Sequence, residues 1–244
     1  MYVGLNSNSN RFILFIVFGG DGTLHEVING IMPIKEKRIL YVPTGTVNDF
    51  GSYLKLNKNY KETFKLLNTE PFLIDIGKLN GSFFVYTFAI GQFTNISYGN
   101  YNKDLKRCIG KFYYFLKAFK ELFNYKKIEV VEDGKYFIIL VLNTFRIASF
   151  KIRRPNKLND GKLNIIFFGY SNIINLINLF LFLFFKILFI NVSYRKSDSL
   201  IFKTKDKVEY NLDGEYGGVS DEFNISILKE AFYIYIPKES RKYF

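Results

Sequence analysis

Short, unbroken apolar runs that end in small-residue loops dominate the first third of the chain. Phe12 to Phe18 reads FILFIVF and runs directly into Gly19-Gly20-Asp21-Gly22-Thr23. Such a run suits a strand buried on both faces of a parallel sheet. Thr23-Leu24-His25-Glu26 fits a capping box, so the pattern predicts a helix from Leu24 that stops before Pro33. Ile39 to Val42 is a second short apolar run. It enters Pro43-Thr44-Gly45-Thr46-Val47-Asn48-Asp49-Phe50, where Thr46 to Asp49 can cap another helix. Lys61 to Leu67 reads as a third helix, leading to a strand at Phe72. Residues 12 to about 75 therefore alternate strand and helix, the pattern of an α/β parallel sheet.

From Ser82 onward the pattern changes. Strand-like runs follow one another at Phe83 to Ile90, Tyr136 to Asn143, Leu163 to Gly169, Leu200 to Lys203, Val208 to Leu212 and Phe232 to Ile236. A helix is expected near Ile109 to Tyr125. Ile173 to Ile190 is apolar apart from Asn175, Asn178 and Lys186. Its length leaves three readings open: a span, a buried or cleft-lining helix, and an interfacial helix. No internal repeat or low-complexity linker interrupts the chain.

The two glycine loops carry the candidate chemistry. Gly19, Gly20, Gly22 and Gly45 let the backbone approach a ligand closely. The amides at a helix start attract anions. Two such loops from one sheet suggest a nucleotide held along its edge. Asp21 would repel a phosphate, so it is expected to orient a water, a metal ion or a donor group; an Asx turn is the plainer alternative.

Composition narrows the class. Apolar residues make up 48% of the chain, with 28 Phe and 18 Tyr, which excludes disorder. Cys108 is the single cysteine, so no intramolecular disulfide forms. Residues 101–162 hold 15 Lys and Arg against 6 Asp and Glu, so they supply most of the net charge of +12. Aromatics interleave these cations at Lys111 to Lys117 and at Phe119-Lys120. Such a stretch suits an anionic membrane surface or a nucleic acid, and no nucleic-acid-binding motif accompanies it.

The motifs, taken in order, resemble the diacylglycerol kinase catalytic domain family, the soluble bacterial lipid kinases related to sphingosine kinases. GGDGT and P-x-G-T-x-N-D-F carry the resemblance first. Ile74-Asp75-Ile76-Gly77-Lys78, Asn156 to Leu163 (NKLNDGKL) and Tyr210 to Gly218 (YNLDGEYGG) continue it to nearly the end of the chain. The resemblance implies a truncated, NAD-kinase-like α/β N-terminal lobe with a parallel sheet, plus a mainly β-sandwich C-terminal lobe. The expected ranges are 1–77 for the nucleotide lobe, 78–228 for the lipid lobe and 229–244 for a last strand and tail. It implies ATP between the lobes and phosphoryl transfer to a lipid hydroxyl, with diacylglycerol as acceptor. Gly19, Gly20, Asp21, Gly22, Thr23, Leu24, His25, Gly45, Thr46, Asn48 and Asp49 would bind the nucleotide. Glu215 would be the base, with Asp213 converging on it across the glycine, and Asp21 and Asp75 would complete an acidic network around Mg²⁺ and water. Asp160, with the carbonyls of Lys157 and Lys162, would hold a structural Mg²⁺. A cytoplasmic enzyme peripheral to the inner face of the cell membrane is implied.

The sequence departs from the family pattern in three places. Only Met1 to Arg11 precede the first apolar run, where the family has a βαβ portion with an N-P-x-S-G loop. That absence leads to an expectation of weak ATP binding and of an exposed sheet edge that favours homodimer pairing. His25, the only histidine, replaces the usual Asn and is expected to face solvent from the first helical turn. The lipid-site motifs survive only as Asn143-Thr144-Phe145 and Ala148-Ser149-Phe150. The alternatives are an impaired, membrane-associated relative of the same family and an NAD kinase. YNLDGEYGG and the Asp160 loop argue against the latter.

Overall fold

The computed structural model describes residues 2–3, 12–46, 48–91, 127–144, 146–147, 150–151, 157–170, 174 and 192–244. The expected helix at 109–125, Cys108, Ala148, Ser149 and all of 173–190 but Ile174 lie outside the described residues. Among the described residues no helix is long and apolar enough to cross a membrane.

The chain forms two compact units that interleave along the sequence. The first takes Met1–Tyr86, Asn143–Lys162 and Ser226–Phe244; the second takes Thr87–Leu142 and Leu163–Ile225. The contiguous ranges 1–77, 78–228 and 229–244 do not carry the return of 143–162 and 226–244 to the first unit.

The first unit is α/β. Its strands are β1 (Tyr2–Val3), β2 (Ile13–Gly19), β3 (Lys37–Pro43), β4 (Phe72–Leu79) and β5 (Ser82–Phe84), with short β9 (Arg146–Ile147) and β10 (Phe150–Lys151). β2 and β3 run parallel, from Ile13↔Lys37 to Gly19↔Pro43. β3 then pairs in parallel with the end of the last strand, Ile234↔Ile39. Helix α1 (Asp21–Ile31) crosses one face, burying Leu24, Ile28 and Ile31 against Phe15, Val17, Ile39 and Tyr41. Alternate residues Leu14, Leu40 and Tyr235 point to the other face. There Phe64, Leu66 and Leu67 cover them from α3 (Tyr60–Phe64) and the 3₁₀ turn Lys65–Asn68. Asn59 caps α3 by accepting from Lys61 N at 3.0 Å.

The expected burial of β2 on both faces holds only at its centre. Ile13 is 39% exposed and Phe18 51% exposed; the Phe64 ring of α3 lies 6.2 Å from that of Phe18. The α1 start also differs. The helix begins at Asp21 with Gly20 as N-cap and no side-chain cap, so the Thr23 capping box is not formed.

The second unit is an antiparallel sheet. Its strands are β6 (Thr87–Gly91), β7 (Ile128–Val130), β8 (Gly134–Leu142), β11 (Leu163–Gly169), β12 (Val192–Ser197) and β13 (Ser199–Leu212). β14 (Glu215–Ile234) starts in this unit and ends in the first. β8 lies between β6 and β11, and β11 pairs on with β12. Phe88, Ile90, Ile139, Val141, Ile165 and Phe223 are fully or nearly fully buried. The expected run Phe83 to Ile90 is two strands, broken at Val85-Tyr86 where the chain passes between units.

Glu129 on β7 gathers three cations, with Lys127, Lys205 and Lys135 at 2.7, 2.9 and 3.6 Å. The Lys127 and Lys205 hydrogen bonds hold its carboxyl at about 2, below the ordinary 4.5. A depressed folded value stabilises above the unfolded value and loses that stabilisation as pH falls through the folded one. Unfolding by denaturant should therefore separate the parent from Glu129→Gln at pH 7. The gap, modest because the cluster is screened by solvent, should close between pH 4.5 and 2. A gap constant across that window would contradict the ion-pair origin.

Candidate active site

The two glycine loops meet. Gly19, the last residue of β2, accepts hydrogen bonds at its carbonyl from Thr44 N at 2.8 Å and Gly45 N at 3.3 Å. A Cβ on Gly45 would lie 2.5 Å from the Cα of Gly20, closer than any real Cβ contact. A Cβ on Gly20 would meet Gly45 Cα at 3.4 Å. The missing side chains thus let two backbones touch at the mouth of α1, whose amides point out of its start.

Asn48 sits under this seam. It is 2% exposed and in the left-handed region, φ 50°. Its amide nitrogen donates to Gly45 O at 2.5 Å and Pro43 O at 3.3 Å. Among the described residues its buried Oδ1 has no hydrogen-bond partner. A Cβ on Gly45 would come within 2.7 Å of that oxygen, so it faces the seam. A buried carbonyl without a donor costs about 1–3 kcal/mol, a cost that a bound donor group would remove.

Asp21 orients donors, and they are backbone amides. Its Oδ2 accepts from Asp49 N at 2.7 Å and Oδ1 from Phe50 N at 3.3 Å. The first glycine loop thereby caps α2 (Asp49–Tyr53), whose own N-cap Asn48 makes no side-chain cap bond. Tyr41 donates to Gly19 O at 3.4 Å. Burial, and next the Asp21 charge, push its phenol well above the ordinary range.

The other nucleotide candidates divide. Thr23 and Thr46 are exposed beside the loops, Gly22 lies in the first turn of α1 and Asp49 is buried. Leu24 is 1% exposed and belongs to the core, so it offers a ligand only backbone. His25 is past the first turn and half-buried, not solvent-facing, because α1 starts earlier than expected. Its Nε2 lies 3.4 Å from Asn29 Nδ2. Asn29, which no motif flagged, ties α1 to β5 by donating to Phe83 O at 3.0 Å and accepting from Phe83 N at 2.9 Å.

Asp75 is 3% exposed on β4 and serves three segments. Its Oδ2 accepts from Gly161 N at 2.7 Å and its Oδ1 from Glu230 N at 2.8 Å. Its carbonyl accepts from Asn143 Nδ2 at 2.7 Å, and its amide donates to Leu158 O at 2.6 Å. These bonds make Asp75 the anchor of the loop that carries Asp160. In that loop Lys162 N donates to Asp160 Oδ1 at 3.0 Å, Gly161 takes φ +67°, and the Lys157 side chain is exposed. Among the described residues no cluster of three or more His, Cys, Asp or Glu could hold a metal ion.

Asp213 and Glu215 differ sharply in exposure. Asp213 is 2% exposed, and its Oδ1 accepts from Thr87 N at 3.0 Å. Glu215 is exposed. The tight turn between β13 and β14 sends the two side chains to different surroundings. Asn211, also unflagged, accepts from Gly214 N at 2.8 Å and holds that turn. Its signal was in the sequence: Asn211 stands two residues before Asp213-Gly214, and Asn is a turn-forming residue.

The family model of the diacylglycerol kinase catalytic domain matches residues 6–79, which span both glycine loops and Asp75. A diacylglycerol kinase of Bacillus subtilis (strain 168) is 30% identical over 243 residues, covering 94% of this chain and 79% of the relative. One of Staphylococcus carnosus (strain TM300) is 32% identical, covering 93% and 77%. A crystal structure assigned to a diacylglycerol kinase of Bacillus anthracis str. Sterne superposes with a TM-score of 0.75 at 25% identity, covering 93% of this chain and 80% of that one.

The seam generates a direct test. Gly45→Ala forces backbone against backbone and should cost roughly 1–3 kcal/mol of stability, read by denaturant titration. Gly20→Ala, with its looser 3.4 Å contact, should cost less. Equal costs would mean that the loops part freely.

Proposed function

The chain belongs to the diacylglycerol kinase family, and we propose that it transfers the γ-phosphoryl group of ATP to a lipid hydroxyl, converting diacylglycerol to phosphatidic acid. The observation that carries the reading is the paired glycine seam with the unpartnered Asn48 Oδ1 buried beneath it. Backbone amides at the start of α1 supply donors for phosphate oxygens. The Asn48 oxygen supplies an acceptor for a hydroxyl or amino group of the nucleoside.

The chemistry asks for a base and for charge stabilisation. Glu215 takes the proton from the lipid hydroxyl. That oxygen bonds to the γ-phosphorus, and the bond to the bridging oxygen breaks, releasing ADP. Asp21 contributes by holding α2 against the first loop, and Asp213 by fixing the turn before Glu215. Asp160 and the carbonyls of Lys157 and Lys162 would supply an all-oxygen donor set of the kind Mg²⁺ takes. The Lys162 N–Asp160 bond and the positive φ of Gly161 turn this loop back on itself, which supports the reading. Bound there, Mg²⁺ would brace the loop. The basic stretch 101–162 suits the inner, anionic face of the membrane where the lipid resides.

Glu215→Gln should lower turnover by about two to four orders of magnitude with ATP binding retained, measured with radiolabelled ATP and dispersed diacylglycerol. More than a tenth of the parent rate would remove Glu215 from the role. Separately, Mg²⁺ should raise the parent's melting temperature over EDTA, and Asp160→Ala should abolish the difference. A variant that still gains from Mg²⁺ would place the ion elsewhere.

A further inference from the structure

We propose that Tyr210 is a positioning residue for Glu215, and that Gly217 and Gly218 lack side chains in order to receive its ring. The inference rests on the reading of Glu215 as the base. β13 ends at Leu212 and β14 begins at Glu215, so only Asp213 and Gly214 connect them. Both take positive φ, 53° and 90°, the signature of a type I′ hairpin turn. The β13 side of this hairpin is well fixed. Asp213 N donates to Thr87 O at 2.8 Å, Thr87 N returns a bond to Asp213 Oδ1, and Asn211 holds Gly214 N.

The side chains that open β14 lie mostly at the surface. Glu215 is exposed, Tyr216 is 52% exposed and Val219 51% exposed. Between them stand two glycines, the residue type with most backbone freedom and the one that weakens a strand. The Tyr210 ring fills the place their side chains would take. A Cβ on Gly217 would lie 2.3 Å from Tyr210 Cε2 and 2.5 Å from Cδ2. A Cβ on Gly218, at φ +127°, would lie 3.2 Å from the Tyr210 hydroxyl oxygen. An aromatic ring laid over strand glycines restores the cover they lack.

The ring itself is held from behind. Phe223 meets it edge-on at 5.9 Å and Phe88 lies 6.2 Å away, both fully buried. Phe202 stacks on Phe223 at 4.9 Å and extends the support. Burial, and next the Tyr216 phenol, raise the Tyr210 pKa, so the ring stays neutral where it rests. The core of this unit thereby reaches the backbone two residues beyond Glu215. A base on an exposed strand start is aimed through that backbone, and an error of about 1 Å costs on the order of 100-fold in rate.

The test uses the whole chain. Tyr210→Leu should raise amide exchange at residues 215–219 at least tenfold, with exchange in β11 unchanged. Per folded molecule, its turnover should fall about tenfold to 100-fold, with KM for ATP within about twofold of the parent. Tyr210→Phe, which keeps the ring, should restore both exchange and turnover. Gly217→Ala, which puts a methyl group into the ring's place, should reproduce the Tyr210→Leu exchange pattern without touching the tyrosine. Unchanged exchange at 215–219 in both Tyr210→Leu and Gly217→Ala overturns the clamp. Faster exchange with parental turnover overturns the positioning role. A Glu215→Gln variant that keeps the parent rate would instead sink the base assignment and leave the exchange result to stand on its own.

Discussion

The Asp75 carboxylate is the joint on which the first unit depends. Two amides from residues far apart in sequence, the buried one of Gly161 and the half-buried one of Glu230, close on its two oxygens. Hydrogen bonds to an ionised group contribute about 1.5–3 kcal/mol each, and a buried charge stripped of them costs more. The segments that return to this unit late in the chain, 143–162 and 226–244, both dock here. Asn143 adds a third clasp through the Asp75 and Val85 carbonyls, at 2.7 and 3.1 Å. Without the carboxylate the unit would still have its parallel strands. It would lack the stitch that brings the Asp160 loop to β4.

The same residue shows why motif order and site geometry are different kinds of information. Asp75 stands in a motif with an acidic role attached, and its acidity is in fact directed inward, to backbone. Asp21 follows the same rule with Asp49 and Phe50. Acidic side chains at the loops therefore act as internal caps that fix where the amides point. That is electrostatic preorganisation achieved by backbone placement.

Much of the fold was legible in the apolar pattern. Leu163–Gly169 and the two strands that flank the glycine loops stand where unbroken apolar runs placed them. Other elements were hidden for physical reasons. β13 reads as two short runs because Lys203, Lys205 and Lys207 face solvent, while Thr204 between them is buried. β12 reads as polar, VSYRKS; among the described residues it pairs on one edge, with β11, and its side chains are half-buried or exposed. The α1 start moved to Asp21 because the carboxylate there is committed to α2 and the glycine before it suffices as N-cap. Within the site, the loop glycines and Asn48 were legible by type and spacing. The burial of Asp213 beside an exposed Glu215 was not, since Asp213 is held by a long-range bond from Thr87 that no local pattern encodes.

The contact between Gly20 and Gly45 also limits how this site can vary over time. A side chain gained at position 45 strikes a Cα, and the neighbour that would have to yield is already the smallest residue available. No second substitution at position 20 can compensate. Relief has to come from moving β2 and β3 apart, and their in-register pairing from Ile13↔Lys37 to Gly19↔Pro43 opposes that. Position 45 therefore lies at an evolutionary dead end in which epistatic rescue has no local route, while position 20 keeps a narrow margin.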